Sequence, residues 1–193
     1  DEFPESGWDK VLTLNLKSPF FLTQALAPAL RASATHERPA KVINIASIDG
    51  LRPNPWETYS YQASKAAVIH LTKRMAARLI KDNLVVTCSA PGAYPSEMNK
   101  AAAKNPEGSA RGIPYARVGV AEDIAGGAIY LASRAGDYVV GTTIPIDGGI
   151  VAVISEPTAI TALEKPREKP CCSIAGPRMR ASIAASATAD PDT

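Results

Sequence analysis

The sequence predicts an α/β domain in which about three parallel strands are flanked by helices. Three short strand-like runs occur along the chain, and segments with helical spacing of apolar residues lie between them. Strands separated by helices of this length form right-handed βαβ units, and therefore a parallel sheet. The first run, "KVINIAS", is apolar without strict alternation, which is typical of a strand covered on both faces.

The remaining elements follow from spacing and from Gly and Pro. The predicted strands cover residues 41–47, 83–92 and 141–149. The predicted helices cover residues 6–31, 59–81 and 121–133, the first with a kink at Pro19. Residues 96–118 mix charge, Ala, Gly and Pro without a clean period. That pattern favours either a mobile surface loop or short helices, in the kind of region where lids occur.

The composition indicates one soluble globular domain. The chain has 193 residues, is 46% hydrophobic and carries a net charge of +2. This balance gives no reason to expect a nucleic-acid or membrane partner, so a small-molecule partner and a cytoplasmic location are predicted. Apolar runs stop well short of the roughly 20 residues of a membrane span, and the acidic start is unlike a signal peptide. Neither a disulfide framework nor a metal site is predicted.

The two ends of the chain differ from its middle. The chain begins with Asp1 and its first Met is Met75, so we expect further residues upstream in the native protein. After Val153 the sequence becomes rich in Pro, and no aromatic residue occurs beyond Tyr138. Such a segment buries too little surface to offset its ordering entropy. Residues 1–153 are therefore predicted as the folded domain and 154–193 as a disordered tail.

"YSYQASK", residues 59–65, opens the second long helix and contains candidate acid–base groups. Residues four apart share a helix face, so Lys65 lies one turn beyond Tyr61, whereas Tyr59 points elsewhere. A nearby cation favours the phenolate, so we expect Lys65 to lower the pKa of Tyr61 toward neutral values. A phenol tuned in this way can exchange a proton with an alcohol or carbonyl oxygen. The spacing alone favours a solvated helix start over a catalytic pair.

Three further polar features each have a plain structural alternative. Ser47 follows a strand at the carboxyl end of the sheet and could bond a reacting oxygen, or it could be an ordinary loop hydroxyl. Asn15, within an apolar helical stretch, could bind a water or a backbone carbonyl at a kink. Pro91 and Gly92 follow the second strand and could form only a turn.

Taken together in this order, the motifs resemble a known family. "LTLNLKSPFFLTQ" contains Asn15, "VINIASIDG" contains Ser47, and "YQASK" contains Tyr61 and Lys65; "APGAYPSEM", "RVGVAEDIAGGAIYLAS" and "GTTIPIDGG" follow. From residue 8 to about 151 the chain resembles the second half of a short-chain dehydrogenase/reductase domain. "PSEM" and the "DGG" ending are similar to the 3-oxoacyl-carrier-protein reductase-like members. The resemblance implies a partial Rossmann-type three-layer domain whose first strands are missing.

The resemblance also implies roles for individual residues. Tyr61 would be the general acid/base, and Lys65 would lower its pKa and hold the nicotinamide ribose. Ser47 would orient the substrate carbonyl, and Asn15 would support a proton-relay water. The implied activity is hydride transfer between a nicotinamide cofactor and a carbonyl or alcohol.

The implied cofactor, NADP or NAD, would lie along residues 91–96. Pro91 and Gly92 would follow the nicotinamide, with the Tyr94 backbone and the Ser96 hydroxyl near its carboxamide. Ser96 stands where the family usually has Thr, and a hydroxyl is kept. A homodimer or homotetramer would be expected for the complete domain, with helices 8–31 and 59–81 packing against their counterparts.

One family feature is missing from this chain. The glycine-rich turn that would hold the cofactor phosphates does not occur before Asn15. Without preceding strands, "KVINIAS" becomes an edge strand with unpaired amides, which invites pairing or aggregation. Two functions therefore remain open: an NAD(P)-dependent oxidoreductase, or a catalytically incompetent remnant that acts at most as an association module.

Overall fold

A computed structural model describes residues 2–153, which form an α/β fold with one three-stranded parallel sheet. The strands are β1 (Ala40–Ile45), β2 (Leu84–Pro91) and β3 (Thr143–Ile146), in the order β1-β2-β3. This confirms the predicted fold class and number of strands. The predicted tail, residues 154–193, lies outside the described residues, and the domain boundary at 153 stays a prediction.

Six α-helices are described. They are α1 (Glu5–Leu12), α2 (Ser18–Ser33), α3 (Tyr59–Leu79), α4 (Lys100–Lys104), α5 (Pro106–Ala110) and α6 (Ala121–Ala132). The predicted helices at 59 and 121 are thus found within about two residues of their expected bounds. The region 96–118 contains the short helices α4 and α5, one of its two predicted alternatives. β3 is shorter than predicted because Gly141 and Gly148, which flank it, have φ values of 68° and 65°.

The first predicted helix is divided at a different place from the one expected. A wide turn of π-helix, Thr13–Lys17, joins α1 to α2, whereas Pro19 lies in the first turn of α2, where proline is tolerated. Pro19 has no N–H for the carbonyl of Asn15, four residues earlier, and its ring crowds that carbonyl. The distortion therefore falls in the turn before the proline, and the predicted kink at Pro19 is wrong by about one turn.

The hydrophobic core is built around β2, whose residues from Leu84 to Ala90 are all buried. On one face of the sheet, Val86 packs against Met75 and Ala76 of α3. On the other face lies α6, where Gly127 lets the helix approach Ile146 of β3 closely. The result is a helix–sheet–helix arrangement with three layers.

β1 forms one edge of the sheet. It pairs with β2 in parallel, and no second neighbour lies beside it within residues 2–153. The Ala40 and Ala46 amides donate to carbonyls at the β2 side, of Asn83 and Ser89 respectively. The backbone amides and carbonyls of successive residues point to opposite sides of a strand. Those of Lys41, Ile43 and Ile45 therefore point to the free edge. The predicted edge strand is therefore observed.

Candidate active site

Ser47 lies just beyond the carboxyl end of β1, as predicted. Its backbone is extended, and its Oγ accepts a hydrogen bond from the Asp49 amide at 3.2 Å, capping the short 3₁₀ turn Ile48–Gly50. That turn rests directly on α3: a Cβ at Gly50 would lie 2.5 Å from the carbonyl carbon of Lys65. Gly50 thus allows the close approach that fixes the Ser47 turn against the helix. Sequence reasoning missed this role, although "ASIDG" contains the glycine.

Tyr61 lies in the first turn of α3, near the Ser47 side chain. The pKa of Tyr61 is raised. Burial is the largest cause and the nearby Asp49 carboxylate adds to it, while the Ser47 hydroxyl acts in the opposite direction by favouring the phenolate. The net shift is opposite to the lowered pKa expected from the sequence.

Lys65 does not offset this shift. Its ammonium donates a hydrogen bond to the Ile45 carbonyl at 2.9 Å and lies 5.5 Å from the centroid of the Tyr61 ring. Burial lowers the pKa of Lys65 itself. One turn of helix therefore brings Tyr61 and Lys65 close together. The Lys65 ammonium, however, is directed to the Ile45 carbonyl beside the Tyr61 phenol.

Asn15 lies in the π-helical turn and faces α3. Its Nδ2 donates to Ser64 Oγ at 3.0 Å, and the Ser64 hydroxyl in turn donates to the Tyr61 carbonyl at 2.7 Å. The predicted partner was a water or a backbone carbonyl, whereas the observed partner is a side-chain hydroxyl. Ser64 was missed from the sequence, and its only signal was its place inside "YQASK". The π-helical turn thus connects Asn15 to the helical turn that carries Tyr61.

Residues 91–96 leave the carboxyl end of β2, next to the end of β3. The Gly92 amide donates to the Ile146 carbonyl at 3.0 Å, and the Tyr94 phenol donates to the same carbonyl at 3.1 Å. Ser96 Oγ accepts from the Asn99 amide at 3.0 Å, which leaves its O–H able to donate. Pro91 ends β2, so four of the six residues predicted to bind the cofactor lie in this strand or in the segment after it, while Tyr61 and Lys65 lie on α3.

The described region contains neither a candidate membrane span nor a candidate metal cluster. None of the helices within residues 2–153 is both long enough and apolar enough to cross a membrane. In the same part of the chain, no group of three or more His, Cys, Asp or Glu side chains is placed to hold a metal ion.

The comparison with known proteins identifies the family of this fold. A family model described as "Enoyl-(Acyl carrier protein) reductase" matches residues 1–151. The chain belongs to the short-chain dehydrogenase/reductase family. A relative of Pseudomonas aeruginosa named "Rhamnolipids biosynthesis 3-oxoacyl-[acyl-carrier-protein] reductase" is 43% identical over 152 residues, covering 77% of this chain and 59% of the relative.

Solved structures show the same fold. The Pseudomonas aeruginosa RhlG/NADP active-site complex is 42% identical with a TM-score of 0.74, and the match covers 78% of this chain and 60% of that one. A gluconate 5-dehydrogenase from Burkholderia cenocepacia, in complex with NADP and tartrate, is 32% identical with a TM-score of 0.72, covering 80% and 60%. This chain therefore spans about three-fifths of the length of the relatives that it matches.

Proposed function

We propose that this chain carries the proton-transfer site of an NAD(P)-dependent oxidoreductase, which transfers hydride between the nicotinamide cofactor and a carbonyl or alcohol. The observation that carries the proposal is the joining of Ser47, Tyr61 and Lys65 at the carboxyl end of the sheet. In open α/β sheets ligands bind at this end of the strands. The family and its NADP-bound relatives support the same reaction class.

Tyr61 is the group that moves the proton. In the reducing direction the carbonyl carbon gains a hydride, and the carbonyl oxygen takes the phenol proton from Tyr61 to become an alcohol. The raised pKa keeps the phenol protonated in the free protein, as a donor requires. Ser47 holds the same oxygen by a hydrogen bond, and the Lys65 charge stabilises the phenolate left behind. Asn15, whose Nδ2 is bonded to Ser64 of α3, would support a proton-relay water that returns a proton to the site.

The residues present fit the nicotinamide half of the cofactor. Lys65 has three donors and uses one on Ile45, so two remain for ribose hydroxyls. The Ser96 hydroxyl and the Tyr94 backbone supply groups for a carboxamide beside Pro91 and Gly92. When bound, the cofactor supplies or accepts the hydride. The adenine and phosphate half would need a glycine-rich turn that the described residues do not contain.

The proposed substrate is a small molecule with a carbonyl or a secondary alcohol. Two of the relatives named above are a 3-oxoacyl-carrier-protein reductase and a gluconate 5-dehydrogenase. Residues 48–56 and 93–118 surround the site and would choose between such compounds. The active form would be a homodimer or homotetramer, for which the exposed apolar residues Leu22 and Leu26 of α2 offer a surface.

The decisive experiment replaces Tyr61 in the native polypeptide that contains this chain. Tyr61→Phe removes the proton but keeps the ring, so turnover should fall by at least about 100-fold while NADPH binding is retained. Steady-state kinetics and a fluorescence titration with NADPH measure the two effects. Tyr59→Phe is the matched control, because Tyr59 lies on the same helix and is 56% exposed.

The control variant should keep the wild-type rate. Retention of most of kcat by Tyr61→Phe, or an equal loss in Tyr59→Phe, would contradict the proposal.

The alternative function, an association module without catalysis, is favoured by two observations. β1 has a free edge within the described residues, and large apolar side chains are exposed on the neighbouring helix α2. Both features suit pairing with another chain. Binding of NADPH by the 193-residue chain separates the two functions.

A further inference from the structure

The segment that leads from the Ser47 turn into α3 has little apolar anchoring. It includes "PNPWET", residues 53–58, whose only large apolar side chain is Trp56. The indole is 70% exposed, so burial contributes little to holding the segment in place. Its order therefore depends on polar contacts.

Gln62 supplies most of these contacts. Its Oε1 accepts from the Asn54 amide at 3.2 Å, and its Nε2 lies within hydrogen-bond distance of three oxygens. These are Asn54 Oδ1 at 3.1 Å, the Trp56 carbonyl at 3.2 Å and Thr58 Oγ1 at 3.1 Å. One side chain thus connects to three positions of the segment, using both its donor and its acceptor groups.

Asn54 completes the connection from the other side. Its Oδ1, which accepts from Gln62, also accepts from the Trp56 amide at 2.8 Å. Upstream, Arg52 donates to the Ile150 carbonyl at 2.9 Å, so the segment is held at that end as well. Between Arg52 and the start of α3, the short stretch from Asn54 to Thr58 therefore has its geometry set by its contacts with Gln62.

Gln62 is also placed where this geometry affects the site. It follows Tyr61 directly on α3, a helix of 21 residues whose inner face is buried against β2. A rigid helix therefore carries both the proton donor and the group that orders the adjoining segment. The Ser47–Gly50 turn at the start of this connection already rests on α3 at Lys65.

We propose that Gln62 is a positioning residue that holds residues 54–58, and with them the exposed Trp56 indole, in one geometry ahead of the helical turn that carries Tyr61. The indole then offers an apolar contact to the part of the substrate next to the carbonyl. The substrate role rests on the proposed function. The ordering role does not, since it concerns contacts within this chain.

Hydrogen exchange tests the ordering role without any activity assay. Pro53 and Pro55 have no amide hydrogen, so a peptide covering 53–58 reports only on Asn54 and on the residues from Trp56 onward. In Gln62→Leu this peptide should exchange at least about fivefold faster, the effect of losing one net hydrogen bond. Gln24→Leu, a matched change at an exposed position on α2, should leave it unchanged.

Asn54→Ala controls for general unfolding, because it removes the bonds of Asn54 Oδ1 to Gln62 and to the Trp56 amide and changes no residue of α3. It should reproduce the faster exchange. Unchanged exchange of this peptide in both variants would overturn the proposal.

Kinetics in the native polypeptide test the substrate role. Gln62→Leu should raise KM about fivefold for a carbonyl compound with an apolar substituent, with kcat near that of the wild type. A loss of kcat at unchanged KM would show that Gln62 acts on proton transfer instead. Failure of the function itself is recognised separately, because it would appear as full activity in Tyr61→Phe.

Discussion

Tyr61 and Asp49 show how the environment of one side chain decides its chemistry. The Asp49 amide donates a hydrogen bond to Ser47 Oγ, and the Asp49 carboxylate lies near the Tyr61 phenol. A carboxylate disfavours a second negative charge, so it raises the pKa of Tyr61 in addition to burial. Lys65 cannot fully offset this while its ammonium is bonded to Ile45. The free protein therefore holds a protonated phenol, ready to donate.

The role of Asp49 predicts a pH effect. Asp49→Asn removes the negative charge, so the pKa of Tyr61 should fall and the phenol should lose its proton at a lower pH. An ultraviolet difference titration, with Tyr61→Phe subtracted, measures this midpoint. In the active protein, the alkaline limit of carbonyl reduction should move to lower pH in the same direction.

Asp49→Glu is the control, since it keeps the charge and should keep the midpoint higher than in Asp49→Asn. A midpoint that stays in place or rises in Asp49→Asn would show that this carboxylate does not act on Tyr61.

At the scale of elements, the site depends on how closely the Ser47 turn approaches α3. A Cβ at Gly50 would fall 2.5 Å from the Lys65 carbonyl carbon, 2.6 Å from its oxygen and 2.8 Å from the Ala66 amide nitrogen. Real Cβ atoms do not approach backbone so closely, and neither backbone segment can move without displacing a site residue. The glycine therefore acts by its small size rather than by its backbone conformation.

This contact predicts the effect of a single methyl group. Gly50→Ala should lower the free energy of unfolding by about 1–3 kcal/mol, the usual cost of overpacking, and should displace Ser47 from Tyr61. Urea denaturation measures the first effect, and a shift in the Tyr61 titration midpoint measures the second. Gly112→Ala is the control, since nothing lies within 4 Å of the added Cβ there.

The control should change stability by no more than about 0.5 kcal/mol. If Gly50→Ala were as stable as Gly112→Ala, the Ser47 turn would not depend on this approach.

The sequence predicted the strands, the longer helices and the Ser47–Tyr61–Lys65 group, because each rests on local spacing or on a special residue type. It did not predict the residues that hold the site together. The Asn15–Ser64 bond joins positions 49 apart, and Gln62 and Gly50 act through contacts that exist only after folding. The direction of the Tyr61 shift was missed for the same reason, since burial is a property of the packed structure.

At the scale of the whole molecule, residues 2–153 combine a well-packed centre with an unprotected side. β2 is buried along its length, whereas β1 has a free edge, and Ile45 is 54% exposed. On α2, Leu22 is 62% exposed. Such surfaces promote pairing between strand edges or between helices.

These surfaces predict the behaviour of the 193-residue chain made alone. It should self-associate with rising concentration in sedimentation experiments, and it should bind NADPH more weakly than low micromolar, because the described residues lack a phosphate-binding turn. Leu22→Lys distinguishes the surfaces: it should reduce association through α2 and leave association through the β1 edge unchanged.

Monomeric behaviour at all concentrations, or a low-micromolar dissociation constant for NADPH, would contradict this prediction.

The hydrogen bond from Lys65 to Ile45 also restricts how a strand can add to β1. The outward-pointing groups of β1 belong to Lys41, Ile43 and Ile45, and the last of these carbonyls already holds the ammonium. A strand added at this edge could bond to the backbone groups of Lys41 and Ile43. At Ile45 it would find the carbonyl already bonded to the Lys65 ammonium. Lys65, which we propose to hold a ribose, therefore also occupies the last outward-pointing carbonyl of the free edge.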